Sequence, residues 1–156
     1  MPVKPETTQL ATANNSLNAR ELKKTERQVR GQAKYLDFLS RNGGWATFDE
    51  YAQLIGATAD VVKERVNALE LITVKIDGVT HIPLYQYDEC RNEELYGLTD
   101  INKVLLGDCL LGNSYTTTWW LSGANPRREL LVAGGNQTKT CDRLMAQARL
   151  AGEMER

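Results

Sequence analysis

Between Trp45 and Asp88 the spacing of apolar residues changes character twice. Phe48, Tyr51, Ala52, Leu54 and Ile55 recur at helical spacing. Thr47, with Glu50 three residues on, forms a capping box that predicts where this helix starts. Gly56 can adopt positive φ and stop it. Thr58 can cap a second helix that turns Val61, Val62, Val66 and Leu69 inward. Two β-rich runs follow, Ile72-Thr73-Val74-Lys75-Ile76 and Val79-Thr80-His81-Ile82, with Asp77-Gly78 between them. Asp-Gly in that setting predicts a tight hairpin, because both turn positions need positive φ. Helix, turn, helix and hairpin is the order of a helix-turn-helix with a wing.

The flanking segments read differently. Residues 1–18 are rich in Thr, Asn, Ser, Ala and Pro and predict a disordered tail. From Leu17 to about Ser40 a long helix is expected, with Leu22, Val29, Ala33, Leu36 and Leu39 or Phe38 as a narrow apolar stripe and Asn42-Gly43-Gly44 as its end. Glu89–Tyr96 reads as an acidic loop or linker. Short helices are expected from Asp100 to Leu106 (capped by Thr99 or Asp100), over Thr116–Leu121, and from Asn125-Pro126 to Leu131 with Gly134-Gly135 as a stop. A last helix from about Gln137 to Glu153 turns Cys141, Leu144, Met145 and Ala148 inward. The expected fold class is mainly α: a winged helix-turn-helix-like N-terminal half with one β-hairpin, followed by a small bundle of short helices. The boundaries fall at 1–18, 19–97 and 98–156.

Composition narrows this picture. The chain has 156 residues, 25% of them charged, and a formal net charge of −1, so it has no global polyelectrolyte character. No run approaches a membrane span, and the N-terminus lacks the apolar core of a signal peptide. Cys90, Cys109 and Cys141 are odd in number and far apart, which argues against a disulfide framework and fits a reducing cytoplasm. The charge is uneven. From Ala46 to Tyr96 four Lys/Arg (Lys63, Arg65, Lys75, Arg91) face ten Asp/Glu, whereas residues 1–45 hold eight Lys/Arg and four acids. Phosphate neutralisation drives much of DNA affinity, so the acidic module begins at a disadvantage. Lys63, Arg65 and Asn67 are its candidate DNA contacts on the second helix, and Lys23, Lys24, Arg27 and Arg30 of the long helix could supply phosphate contacts that the module lacks. Two other readings stand beside these: a solvated surface helix, and a helix-turn-helix that serves only as a scaffold for protein contacts.

Catalytic chemistry finds little support. His81 is the single histidine and sits in an expected strand. No Cys/His spacing suits a metal, and Gly43-Gly44 and Gly134-Gly135 lack the strand-to-helix setting of a phosphate cradle. No enzyme, catalytic residue, cofactor or metal is therefore expected.

The segment His81-Ile82-Pro83-Leu84-Tyr85-Gln86-Tyr87-Asp88 resembles antitoxins of the Xre/MbcA/ParS type, in which a strand leads into a proline, an aromatic, Gln, a second aromatic and Asp. Trp120-Leu121, Pro126, Leu130-Leu131 and Gly134 match the order of that family's downstream motifs, so the likeness covers roughly residues 45–150. Only Ser122-Gly123-Ala124-Asn125 separate the Trp-Leu pair from the proline, where the family has a longer connection. The resemblance implies a cytoplasmic, homo-oligomeric regulator. Its N-terminal half would bind operator duplex DNA, and its C-terminal half would hold a partner protein, typically a RES-type or related toxin. Alternatives are a stand-alone DNA-binding regulator of a phage or plasmid and a protein-interaction module without DNA binding. Trp119 and Trp120 point about 100° apart on a helix, so both cannot fill one core position. The resemblance gives Trp120 the core place. It leaves Trp119 as an exposed partner-binding ring, with Arg127 and Arg128 at its rim.

Overall fold

The computed structural model describes residues 15–133 and 135–155, with side chains described over 19–133 and 135–153. It is mainly helical, with seven described helices and small antiparallel strand pairs. The chain forms two compact units, Met1–Phe38 and Leu39–Arg156. Helix α1 spans Asn15–Arg41, so residues 15–18 are helical rather than tail, and residues 1–14 of the expected tail lie outside the described residues. Within the first unit Leu22 and Val29 are exposed on one side of α1. Lys23, Arg27 and Arg30 follow each other along a different flank at helical spacing, and Lys24 lies beside them; all four are exposed.

The second unit begins where α1 ends. Leu39 is buried, and its carbonyl accepts from the amides of Asn42 and Gly44. Gly43 and Gly44 take φ of 100° and 74°, the turn that the glycine pair predicts. Strand β1 (Trp45–Ala46) leads into α2 (Phe48–Ile55), whose capping box forms as expected: Thr47 Oγ1 accepts from Glu50 N at 3.1 Å, and Glu50 Oε1 accepts from Thr47 N at 2.9 Å. The bond from the Thr47 amide, and then the Thr47 side chain, hold the exposed Glu50 carboxyl below its ordinary pKa. Gly56 closes α2 in the left-handed region, and Thr58 caps α3 (Ala59–Asn67). Strands β2 (Val74–Ile76) and β3 (Val79–Pro83) form the hairpin, with Asp77 at φ 51° and Gly78 at φ 79°. Strand β1 pairs antiparallel with β3 through Trp45–Pro83 and Ala46–Ile82, giving the order β1-β3-β2. The wing is thus tied at its base to the residues that precede the first helix of the motif.

Three local expectations need correction. Glu89–Tyr96 is not simply a loop, because β4 (Tyr87–Asp88) pairs antiparallel with β5 (Glu93–Glu94). Helix α4 spans Leu98–Asn102 and starts behind Gly97 at φ 74°, with no side-chain cap from Thr99 or Asp100. It runs on into a π-helical turn, Lys103–Asp108. Helices α5 (Asn113–Leu121), α6 (Arg127–Ala133) and α7 (Gln137–Glu155) complete the unit, and Gly134 of the expected stop lies outside the described residues. Two glycines permit close approach to α7. A Cβ on Gly97 would collide with Cys141 Sγ, and a Cβ on Gly152 would collide with Cys109 Sγ. Burial pushes the Cys141 thiol up from its ordinary pKa, and Asp142 and Asp100 add to the shift. Polar contacts cross the expected boundary near residue 97: Arg65 reaches Thr99, Tyr85 meets Thr117, and Asn102 meets Gln86.

Candidate interaction surfaces

The hairpin is carried on a buried polar brace. Gln86, in the 3-10 turn Leu84–Gln86, is fully buried. Its Oε1 accepts from Ile72 N at 2.8 Å, and its Nε2 donates to Ile72 O and Pro83 O, both at 3.1 Å. The carboxamide therefore pairs with both backbone groups of Ile72 as a neighbouring strand would. Asn102 Nδ2 donates to Gln86 Oε1 at 3.2 Å and to Glu70 O at 3.0 Å, while its Oδ1 accepts from Trp120 Nε1 at 3.0 Å. Every polar end of this chain of side chains has a partner, the condition under which a buried network defines one arrangement. Gln86 thus satisfies backbone groups at the base of the hairpin. Asp88 Oδ1 accepts from the amides of Cys90 and Arg91 in the β4–β5 turn, while its buried Oδ2 has no hydrogen bond.

On α3, Val62 is buried, and Asp60, Lys63, Glu64 and Asn67 are exposed, as the helical spacing predicts, but Val61 and Leu69, expected inward, are exposed, Leu69 because the helix ends at Asn67 and the chain turns at φ 62° there. Arg65 is not available as expected. Its Nε donates to Glu70 Oε1 at 3.1 Å, its Nη1 to Glu94 Oε2 at 2.8 Å, and its Nη2 to Thr99 Oγ1 at 3.2 Å. Tyr51 donates its hydroxyl to the same Glu94 carboxylate. Desolvation works against the Arg65 charge, but Glu94 and then Glu70 outweigh it and hold its pKa above the ordinary value. Burial, followed by the charge and hydrogen bond of Glu94, pushes Tyr51 far above the ordinary phenol range. Arg65 thus joins α3 to β5 and α4, with α2 linked through Tyr51 on the shared Glu94, and presents no free guanidinium to a DNA groove. Its carboxylate partner lies 29 residues away, in a segment that the sequence marks only as acidic.

In the C-terminal half, α5 carries three consecutive threonines. Thr116 and Thr118 return their hydroxyls to the carbonyls four residues back, at 2.9 and 3.1 Å, and Thr117 meets the Tyr85 hydroxyl at 3.1 Å. This helix is covered on several sides. Thr116, Thr117, Trp119, Trp120 and Leu121 are all buried, so the assumption of a single buried face does not hold for it. Trp119 is 5% exposed and is not the open ring expected from its neighbour's place in the core. The two indoles meet edge to face, with centroids 5.2 Å apart and an interplanar angle of 87°.

Trp119 does meet Arg127. The Arg127 guanidinium carbon lies 4.4 Å from the centroid of the Trp119 ring. Arg127 Nε donates to Gln147 Oε1 and its Nη1 to Trp119 O, both at 2.8 Å. Burial pulls its pKa down from the ordinary value. These residues line a cleft of about 380 Å³ between α5, α6 and α7, together with Tyr115, Thr118, Ser122, Leu150 and Ala151. Arg128 does not rim this cleft. Its guanidinium turns the other way and donates to the carbonyls of Tyr85 and Tyr87, so its role is to hold the segment that carries Gln86. Compared with known proteins, the chain matches no family model, no curated sequence and no solved structure. Tyr115, Gln147 and Leu150 were not singled out from the sequence. The only signal is the i, i+3, i+4 face that Gln147, Leu150 and Ala151 share on α7. Among the described residues no group of three or more His, Cys, Asp or Glu could hold a metal ion, and no described helix is long and apolar enough to cross a membrane.

Proposed function

We propose that this chain is an antitoxin-like regulator that contacts duplex DNA with α3 and its wing and holds a partner protein on the α5–α7 cleft. In this reading it is not an enzyme. It acts in the cytoplasm as a homodimer whose two copies meet two half-sites, and its partner is a RES-type or related toxin, as the resemblance of the Pro83–Asp88 segment implies. The observation that carries the reading is the arrangement of α3. Val62 packs inward, Lys63 and Asn67 stand outward, and a hairpin anchored to β1 follows directly. The exposed basic flank of α1 offers the phosphate contacts that the acidic module lacks.

Fluorescence anisotropy with a duplex from the chain's own upstream region, repeated over a range of salt, tests the DNA half. Changing Lys23, Lys24, Arg27 and Arg30 to Gln should weaken binding to every sequence and lower the salt slope by about 0.9 for each phosphate that is no longer neutralised. Lys63→Ala and Asn67→Ala should instead change sequence preference. No duplex binding at low salt overturns the DNA half. Co-purification with the product of the neighbouring reading frame tests the partner half. The arrangement of Arg65 favours a second reading, a protein-interaction module without DNA binding. With Arg65 held by Glu70 and Glu94, Lys63 is left between Asp60 and Glu64 as the outward cation of α3. Partner capture without duplex binding would select that reading.

A further inference from the structure

Arg127 differs from the other half-buried arginines. Arg65 and Arg128 each lie within 4.0 Å of a carboxylate. Among the described residues no carboxylate pairs with Arg127; its two described hydrogen bonds go to neutral oxygens, on Gln147 and on the Trp119 backbone. Taking a charge out of water without a counter-charge is costly. Yet the guanidinium is fixed by those two bonds and by the indole beneath it, and fixed donors lose little entropy when a ligand arrives. Among the described residues no acid lines the cleft. Two of its lining residues expose large side chains with apolar surface, Tyr115 at 41% and Leu150 at 55%. Along α7, exposed Arg143 stands one turn before Gln147 and exposed Glu153 one turn after Leu150, so opposite charges flank the lining face.

We infer that the α5–α7 cleft receives an acidic side chain of a partner polypeptide, with Arg127 as its charge partner and Tyr115 and Leu150 covering the apolar residues beside it. The inference rests on the reading that a partner docks on this half of the chain, and it names the chemistry of the anchor. A free anion would satisfy Arg127 but leave the apolar surface of Tyr115 and Leu150 in water, whereas a carboxylate carried between apolar side chains satisfies both. The docking of such a segment is favoured by the Arg127 fork.

The test uses the full chain, labelled with nitrogen-15, and follows the Arg127 Nε–H and Trp119 indole N–H signals. The probe is the capped pentapeptide Gly-Leu-Glu-Leu-Gly, with its Gln counterpart and sodium acetate as controls. The Glu peptide should move both signals saturably. The Gln peptide should bind about tenfold more weakly or worse, since it cannot form the desolvated charge pair. Acetate should need far higher concentrations. Arg127→Gln should lose the preference for Glu over Gln, and Arg127→Lys should keep part of it. If Arg127→Gln fails to fold, the comparison of the two peptides on the unaltered chain decides. Equal binding of the Glu and Gln peptides, no shift with either, or equal response to acetate overturns the inference. Capture of the neighbouring gene product that survives Arg127→Gln also overturns it and leaves the partner reading standing, whereas failure of the unaltered chain to capture that product overturns the reading beneath it.

Discussion

Replacing Gln86 with Leu keeps most of the side-chain volume and removes both polar ends of the brace beneath the wing. Gln86 is fully buried and makes four hydrogen bonds: from Ile72 N at 2.8 Å, to Ile72 O and Pro83 O at 3.1 Å, and from Asn102 Nδ2 at 3.2 Å. Asn102 Nδ2 retains Glu70 O in the variant, at 3.0 Å, so it is not stranded. Ile72 itself is fully buried, and its amide loses its described partner. An orphaned buried donor costs about 1–3 kcal/mol, and two weakened carbonyls add to that, so the variant should lose about 3–5 kcal/mol. Against a total of about 5–15 kcal/mol this is a large share. At about 2–4 °C per kcal/mol for a chain of this size, Tm should fall by about 6–20 °C. Urea unfolding followed by circular dichroism and by tryptophan fluorescence measures the loss. Because the brace also reaches Trp120 through Asn102, the two probes should shift together. A loss below about 1 kcal/mol, or a fluorescence transition that stays in place while the circular dichroism transition moves, would refute the argument.

Further expectations follow from the same packing. Trp119 is buried, so Trp119→Ala should cost about 3–5 kcal/mol, and a melting temperature equal to that of the unaltered chain would contradict its placement. Gly152→Ala drives a methyl group into Cys109 and should cost about 1–3 kcal/mol. Cys109→Gly should recover part of that loss in the double variant, so simple additivity in urea melts would contradict the close approach. Tyr51 holds its proton far above the phenol range when folded, whereas the unfolded phenol ionises near its ordinary value of 10.0. The folded state then binds more protons above that value, so its contribution is present below about pH 10 and is lost as pH rises further, at about 1.4 kcal/mol per pH unit. Tyr51→Phe should flatten that alkaline decline, which unfolding measured between about pH 9 and 11 would show.

The local grammar of the first half was legible because each signal acts over three or four residues. Thr47 with Glu50, Gly56, Thr58 and Asp77-Gly78 each determine a backbone event beside themselves, and each occurs where the sequence places it. What escaped depends on distant partners. Arg65 looks outward by helical spacing, but Glu94 arrives from a strand pair that an acidic run of eight residues does not reveal. Trp119 looked free because one face of a helix was assigned to the core, yet α5 is enclosed on several sides and shows little amphipathic signal to read. Arg127 was recognised beside Trp119, but its partner Gln147 lies 20 residues on, and the adjacent Arg128 faces a different part of the molecule.

The pairing of Gln86 with Ile72 on one side and Asn102 on the other has an evolutionary consequence. A gene fusion that joined the first 97 residues to an unrelated C-terminal domain would carry away the donor and acceptor that finish the brace, together with the indole behind them. Exchange of partner specificity by swapping whole halves is therefore disfavoured in this architecture. Divergence is easier through substitutions around the mouth of the cleft, at positions such as Tyr115, Gln147 and Leu150, which can change while Asn102 and Trp120 stay in place.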